Sequence, residues 1–230
     1  MSFTAVGSSI QQFSTSSFSL TPVGVGHLIL LSVNNKSNGT VTATALSSSN
    51  VTWAQMGSAF QGSVNGQTAV VFAGKVTSTS AATVTITWSG TTPGSYQATG
   101  SEFSVTSGSW AFDTQGHIDG GGTNTWASLT PAGSGELYFG ASFDSGTATA
   151  GSTPGFTYIS DAHGNGLGWA VSVSAAYAPV WGDASHDFGV MILVRETGAA
   201  AVPAPVSLVA VNRPALIVSN SGWRGAGHSR

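Results

Sequence analysis

The sequence predicts an all-β protein: an antiparallel two-sheet β-sandwich followed by an extended C-terminal arm. Three observations lead to this prediction. Many segments alternate apolar residues with Ser, Thr or Ala, which is the two-residue period of a half-buried strand. Stretches rich in Gly, Asn, Pro and Ser separate these segments and favour turns. No window combines the 3.6-residue period of a helix with capping residues.

In chain order, the predicted strands are Ser14–Leu20, His27–Val33, Thr40–Ser47, Val51–Met56, Thr68–Val76, Thr83–Ser89, Tyr96–Ser104, Trp110–Phe112, Thr125–Leu129, Glu136–Phe143, Phe156–Ser160, Ala170–Tyr177 and Phe188–Glu196. Alternation is clearest in Thr40–Ser47, Thr83–Ser89 and Ala170–Tyr177, which predicts one buried and one exposed face. Four segments are apolar almost throughout, which favours central strands: His27–Val33, Thr68–Val76, Glu136–Phe143 and Phe188–Glu196. The Gly-rich segment Asp119–Asn124 is predicted to be a loop tip.

Charge divides the chain into two parts. Residues 1–196 carry three basic and nine acidic side chains, a net charge of −6, whereas residues 197–230 carry three arginines and no acid, a net charge of +3. The segment Thr197–Leu208 combines small residues with Pro203 and Pro205, which predicts an extended, semi-rigid linker. We therefore expect a β-sandwich domain over residues 1–196 and an assembly arm over residues 197–230.

The assembly arm contains two apolar patches, Val206–Asn212 and Arg213–Asn220. They are too short to build a core, but long enough to pair as added strands on another surface. Trp223 and Arg224 lie between glycines, and these two residue types dominate interface hot spots. The arm residues predicted to dock are Leu208, Val211, Arg213, Leu216, Val218, Trp223, Arg224 and Arg230.

The composition limits the classes of function. Charged residues make up 7% of the chain and hydrophobic residues 41%, which leaves a neutral surface of Ser, Thr, Gly, Asn and Gln around an ample core. Cysteine is absent, so disulfides, thiolate metal sites and a Cys nucleophile are excluded. The sequence shows neither a signal peptide nor an apolar run of membrane-spanning length. A net charge of −3 argues against nucleic-acid binding by the domain.

Three polar clusters are the candidates for chemistry: Asp113, His117 and Asp119; Asp161 and His163; Asp183, His186 and Asp187. Their spacing matches no metal or hydrolase motif, so turn capping is the preferred interpretation over acid–base or zinc chemistry. Glu102 and Glu136 are the best candidates for a glycosidase-like carboxylate pair, but nothing in the sequence makes them face each other. We expect no catalytic residue, no metal site and no cofactor.

Aromatic side chains suggest an alternative. Trp53, Trp88 and Trp169 lie in predicted strands and are expected in the core. Trp126, Tyr158 and Trp181 are candidates for exposed rings that stack on sugars, as in a carbohydrate-binding module. A hydrolase acting on a host cell-wall polymer through the polar clusters is the third hypothesis.

The sequence also resembles a group of virion proteins from tailed phages of actinobacteria, usually described as minor tail proteins or head decoration proteins. The motifs that carry the resemblance are FTAVG (Phe3–Gly7), TPVGVGHLILLSV (Thr21–Val33), VTW (Val51–Trp53), VFAGKVTSTSAATVTITWSG (Val71–Gly90), EFS (Glu102–Ser104), LTPAGSGELYFG (Leu129–Gly140), AGSTPGFTY (Ala150–Tyr158) and FGVMILV (Phe188–Val194). The resemblance implies a sandwich of jelly-roll type on the outside of a virion. It transfers no catalytic residue.

The leading hypothesis is therefore a non-enzymatic structural protein of a bacteriophage virion. It would be assembled in the host cytoplasm and exposed on the particle, as a minor tail protein or a capsid decoration protein. Its partners would be capsid or tail subunits and copies of itself, joined through the assembly arm into a homo-oligomer.

Overall fold

The computed structural model describes residues 3–37, 40–63, 66–144, 146–184 and 186–197. The docking residues predicted in the assembly arm lie outside the described residues: Leu208, Val211, Arg213, Leu216, Val218, Trp223, Arg224 and Arg230. Regular structure in the described part consists of the strands β1 Phe3–Phe13, β2 Ser17–Leu20, β3 Leu28–Asn35, β4 Ala43–Ser47, β5 Val51–Gln61, β6 Thr68–Val76, β7 Ala82–Trp88, β8 Tyr96–Val105, β9 Trp110–Thr123, β10 Glu136–Asp144, β11 Phe156–Ser160, β12 Gly166–Val173 and β13 His186–Glu196. No helix suited to crossing a bilayer occurs among those residues.

The strands form three antiparallel sheets. The first sheet has the order β1-β8-β3-β6-β5, the second sheet β11-β12-β10-β13-β9, and a smaller outer sheet β2-β7-β4. The first and outer sheets come from β1–β8 and the second sheet from β9–β13, so the chain does not alternate between the two large sheets. The predicted all-β antiparallel sandwich is confirmed, and the outer sheet is an addition that the sequence did not indicate.

The two large sheets pack face to face, and each is covered on its other face as well. Along β3, Leu28 and Leu30 point towards the second sheet, whereas Ile29 and Leu31 point towards the outer sheet. Along β13, Ile192 points towards the first sheet, and its neighbours in the strand pack under loops on the far side. Because side chains alternate between faces, a strand buried on both faces must be apolar throughout. This explains the four continuously apolar segments.

Loops cover the far face of the second sheet, which is the face that points away from the first sheet. Trp126 and Trp181 are buried there and pack on each other, with ring centroids 5.0 Å apart. The segment Thr125–Leu129 was predicted to be a strand, but it forms only isolated bridges, from Thr125 to Val180 and from Leu129 to Tyr177. The bridge partners Tyr177 and Val180 lie in the loop between β12 and β13, and not in a strand of a sheet.

Two long edge strands differ from the predictions. β1 was not predicted because Gly7, with φ +69°, lies in a bulge that interrupts the alternation. β9 extends to Thr123, so the prediction of a loop tip over Asp119–Asn124 is wrong. Gly120 and Gly122 have φ of +65° and +56°, which lets the strand bulge while it pairs with β13.

Gly100, in the middle of the first sheet, provides a test of this packing. A Cβ placed there would lie 2.0 Å from the carbonyl oxygen of Leu30. We expect Gly100→Ala to destabilise the protein by about 2 kcal/mol or more, because backbone in a central strand must move to admit a methyl group. The free energy of unfolding from urea titration measures this. Gly90→Ala is the control, because the nearest atom to its Cβ lies 3.5 Å away, and its effect should stay within about 0.5 kcal/mol. Equal effects would contradict the packing argument.

Candidate functional site

The first polar cluster consists of Asp113, His117 and Asp119 on β9, and it contacts the β5 edge of the first sheet. Asp119 of β9 accepts a hydrogen bond from the backbone N–H of Ser63 at 2.8 Å, just after β5 ends. His117 stacks on Phe60 of β5, with ring centroids 3.8 Å apart. Asp113 accepts a 2.9 Å bond from the backbone N–H of Ala132. Asp119 and His117 therefore join the edges of the two large sheets, and Asp113 caps a turn.

The second cluster lies at the opposite side of the sandwich. His163 stacks on Phe13, near the end of β1, with ring centroids 3.8 Å apart. Asp161 accepts bonds from the backbone N–H groups of His163 and Asn165 at 2.7 and 2.9 Å, which closes the turn between β11 and β12. Each open side of the sandwich is thus closed by one Phe–His stack, with the Phe on the first sheet and the His on the second.

The third cluster contains a buried histidine. His186 Nδ1 lies 2.6 Å from Asp144 Oδ1 and 2.9 Å from Ser142 Oγ, and all three residues are buried. Burial raises the pKa of Asp144, and hydrogen bonds from His186 and Ser142 oppose the rise. Asp183 is 3.9 Å from His186 Nε2 and accepts a bond from Thr149 N–H, and Asp187 is half-buried on β13. Sequence reasoning missed Asp144, although a carboxylate at the end of an apolar strand signals a buried partner.

The Ser142, His186 and Asp144 group does not have the geometry of a hydrolase triad. In a triad, the Ser and the carboxylate contact opposite nitrogens of the imidazole. Here both approach Nδ1, and none of the three side chains is open to a substrate. The arrangement is that of a polar group buried inside the domain, in which Asp144 Oδ2 and His186 Nε2 have no hydrogen-bond partner among the described residues.

The two glutamates proposed as a carboxylate pair serve separate loops. Glu102 accepts bonds from Val23 N–H and Gly24 N–H and lies 2.6 Å from His27 Nδ1. Glu136 accepts a 2.8 Å bond from Gly133 N–H, just before β10. Burial raises the pKa of Glu136 despite this bond, and the nearby carboxylate of Asp113 adds to the rise. No described contact joins the two glutamates.

The rings proposed for sugar stacking are not exposed as expected. Trp126 and Trp181 are 1% and 2% exposed, so the prediction that they form an accessible platform is wrong. Tyr158 is half-buried, and its hydroxyl donates to Val180 O at 2.7 Å and accepts from Thr153 N–H at 3.0 Å. All three residues hold the loops over the second sheet. Trp169 is buried and Trp53 and Trp88 are half-buried against the core, which agrees with the packing role predicted for them.

Charge is sparse on the surface of the domain. Four of the nine acidic residues are buried and the other five are half-buried, whereas the three basic residues Lys36, Lys75 and Arg195 are exposed. Within the described ranges, no group of three or more His, Asp or Glu side chains could hold a metal ion. The acidic residues of the domain act chiefly inside it.

A groove at the end of β12 is the surface feature that sequence reasoning missed. It has a volume of about 320 Å³ and is lined by Pro154, Gly155 and the segment Ala170–Tyr177. Ser172 has φ +65°, a left-handed conformation that a residue other than glycine or asparagine rarely adopts. Such outliers concentrate at functional sites. The sequence offered no signal, because a serine in an alternating segment predicts ordinary strand geometry.

Comparison with known proteins adds no assignment: no protein-family model, no curated protein and no solved structure matches the chain significantly.

Glu136 gives the domain a pH dependence whose sign can be tested. Because its pKa is raised on folding, its contribution to stability is complete below its ordinary pKa of 4.5 and is lost as the pH rises through the folded-state pKa. Glu136→Gln keeps an acceptor for Gly133 N–H and removes the charge. We expect the Tm of this variant to exceed that of the wild type by about 2 °C near pH 7, with the difference vanishing below pH 4.5.

Thermal melts across this pH range measure the effect. Glu102→Gln is the control and should lower the Tm, because the carboxylate it removes accepts two backbone N–H bonds and faces His27. A Tm difference for Glu136→Gln that grows as the pH falls would contradict the assignment.

Proposed function

We propose that this chain is a non-enzymatic structural protein exposed on a bacteriophage virion, as a minor tail protein or a capsid decoration protein. Its assembly arm would tether it to neighbouring subunits. One observation carries the proposal: side chains that could perform chemistry are used to hold the domain together. Asp119 and His117 join sheet edges, Asp161 closes a turn, and His186 with Asp144 is buried.

The surface of the domain supports the same proposal. A particle coat needs a rigid body that is inert towards solvent, and this domain has large sheets buried on both faces beneath a charge-poor exterior. The motifs that resemble phage virion proteins coincide with central strands: TPVGVGHLILLSV enters β3, LTPAGSGELYFG enters β10 and FGVMILV lies in β13. The resemblance thus concerns the framework of the domain.

The alternatives receive less support. A carbohydrate-binding module would need accessible rings, and Trp126 and Trp181 are buried. A cell-wall hydrolase would need approachable acid–base groups, and the carboxylates of Asp113, Asp119 and Asp161 are hydrogen-bonded to backbone N–H groups.

Particle incorporation tests the proposal. Cells infected by the phage that encodes the chain would express a tagged full-length copy, either unchanged or with Trp223→Ala and Arg224→Ala together. We expect mass spectrometry of gradient-purified virions to find the unchanged copy, and the double variant to be reduced about tenfold or more, because it lacks the predicted anchor.

Lys75→Ala is the matched control, since it removes one exposed positive charge from the domain instead of the arm. It should be incorporated like the unchanged copy. Absence of the chain from purified particles would overturn the virion assignment, and normal incorporation of the double variant would overturn the anchor.

A further inference from the structure

The end of β12 exposes a stretch of backbone that no neighbouring strand covers. β11 pairs with β12 only from Phe156, opposite Ala170, to Ser160, opposite Gly166. The chain then continues through Val173 to Ser174–Ala176, which is exposed and makes no backbone hydrogen bond to any described residue. An uncovered sheet edge is a template for another strand, and proteins commonly block such edges with charge, Pro or a covering loop.

The backbone conformation of Ser172 accounts for the opening. Between β10 and β12 the register shifts, so that Glu136 pairs with Val173 and Tyr138 with Ala170. Val171 and Ser172 form the bulge, and Ser172 takes the left-handed conformation. A bulge bends its strand, and here it separates β12 from the Pro154–Gly155 turn that precedes β11. The groove occupies this gap.

The groove favours an uncharged, extended ligand. Its lining contains only Pro, Gly, Ala, Val, Ser and Tyr side chains. Val171 is 38% exposed on it, and Val180, tied by its carbonyl to Thr153 beside the groove, is 40% exposed. Small apolar contacts and free backbone groups are what strand addition uses, with main-chain hydrogen bonds supplying affinity and side-chain pockets supplying specificity.

The segment Val206–Asn212 of this chain has the matching chemistry. It reads VSLVAVN, is uncharged, and alternates small with apolar residues. β12 and β13 both run antiparallel to β10, so Thr197 at the end of β13 and the groove lie at the same end of the second sheet. Thr197, the last described residue, is therefore at the end of the second sheet where a strand can be added.

The linker favours a second copy over the same chain. Two inter-strand spacings separate β13 from β12, about 10 Å. The residues between Thr197 and Val206 can span about 30 Å when extended, and Pro203 with Pro205 predicts that they are extended. A semi-rigid linker of this length would exceed that separation about threefold, so we expect it to carry Val206–Asn212 to the groove of a second copy.

We propose that the groove beside Ser174–Ala176 receives Val206–Asn212 from a second copy of this chain, added as a strand next to β12. This inference rests on the proposed tethering role of the assembly arm and names the surface that the arm binds. Repeated from copy to copy, such a contact is heterologous and closes into a ring or continues as a chain of subunits.

Purified full-length protein tests the contact. A fluorescent peptide of residues 203–212 would be titrated onto the chain carrying Leu208→Asp, whose own arm should not compete. We expect the peptide to bind this chain saturably. When Ala175→Lys is combined with Leu208→Asp, we expect the Kd to rise at least about tenfold, because a lysine places charge at the open edge. Ala162→Lys is the matched control, the same change at an exposed alanine of the β11–β12 turn, and should leave the Kd unchanged. Light scattering should show that the unsubstituted chain self-associates and that Ala175→Lys does not.

The outcomes separate the groove from the proposed function. Equal peptide binding by the two lysine variants overturns the groove. If the unsubstituted chain is monomeric and the peptide binds it only by displacing its own arm, the arm docks within one chain, which overturns the second-copy assignment. If Ala175→Lys is incorporated into virions normally while the Trp223 and Arg224 double variant is not, the tethering function stands and the groove assignment falls. Melting curves confirm that each variant is folded.

Discussion

Burial of the two large sheets on both faces is the constraint on which the rest of the structure depends. β3, β6, β10 and β13 are buried on both faces apart from Lys75 and Arg195 near their ends, so a polar group inside them needs an internal partner. Ser32 donates to Asn34 within β3, and Asp144 at the end of β10 pairs with His186. Glu102 inside β8 and Glu136 at the start of β10 are used in the same way, because they hold the loops before β3 and β10. Binding surfaces are consequently confined to edges and ends.

The edges of the sandwich differ in how far contacts between the two sheets already occupy them. At the β5 and β9 edge, Phe60 stacks on His117 and Asp119 binds the backbone of Ser63. At the β1 edge, Phe13 stacks on His163. Ring faces and backbone groups there are already occupied by contacts between the two sheets. The end of β12 differs because it carries a bulge and its pairing with β11 stops at Ala170, which leaves the backbone beyond this point without a neighbouring strand on that side.

Much of this framework could be predicted from the sequence, because side-chain periodicity records how many faces of a strand are covered. Continuous apolar runs predicted β3, β6, β10 and β13, and alternation predicted β4 and β7. Periodicity cannot report a loop that acts as a layer, so the burial of Trp126 and Trp181 was missed. Nor can it report a backbone angle: Ser172 looks like any strand serine, and the groove follows from its conformation. The three polar clusters were predicted to cap turns, but the sequence could not show their partners, such as Phe60 and Phe13, which became apparent only when distant strands were brought together.

The distribution of charge bears on the proposed contact between the domain and the assembly arm. Acidic side chains are at best half-exposed and mostly hydrogen-bonded within the domain, so a neighbouring domain offers the arginines of the assembly arm no strong acidic surface. Ion pairs at such a surface would be weak and screened by salt. Main-chain hydrogen bonds and burial of small apolar side chains depend little on ionic strength. A strand added beside Ser174–Ala176 would therefore persist at high salt, and that persistence is what distinguishes strand addition from attraction between a basic arm and an acidic domain.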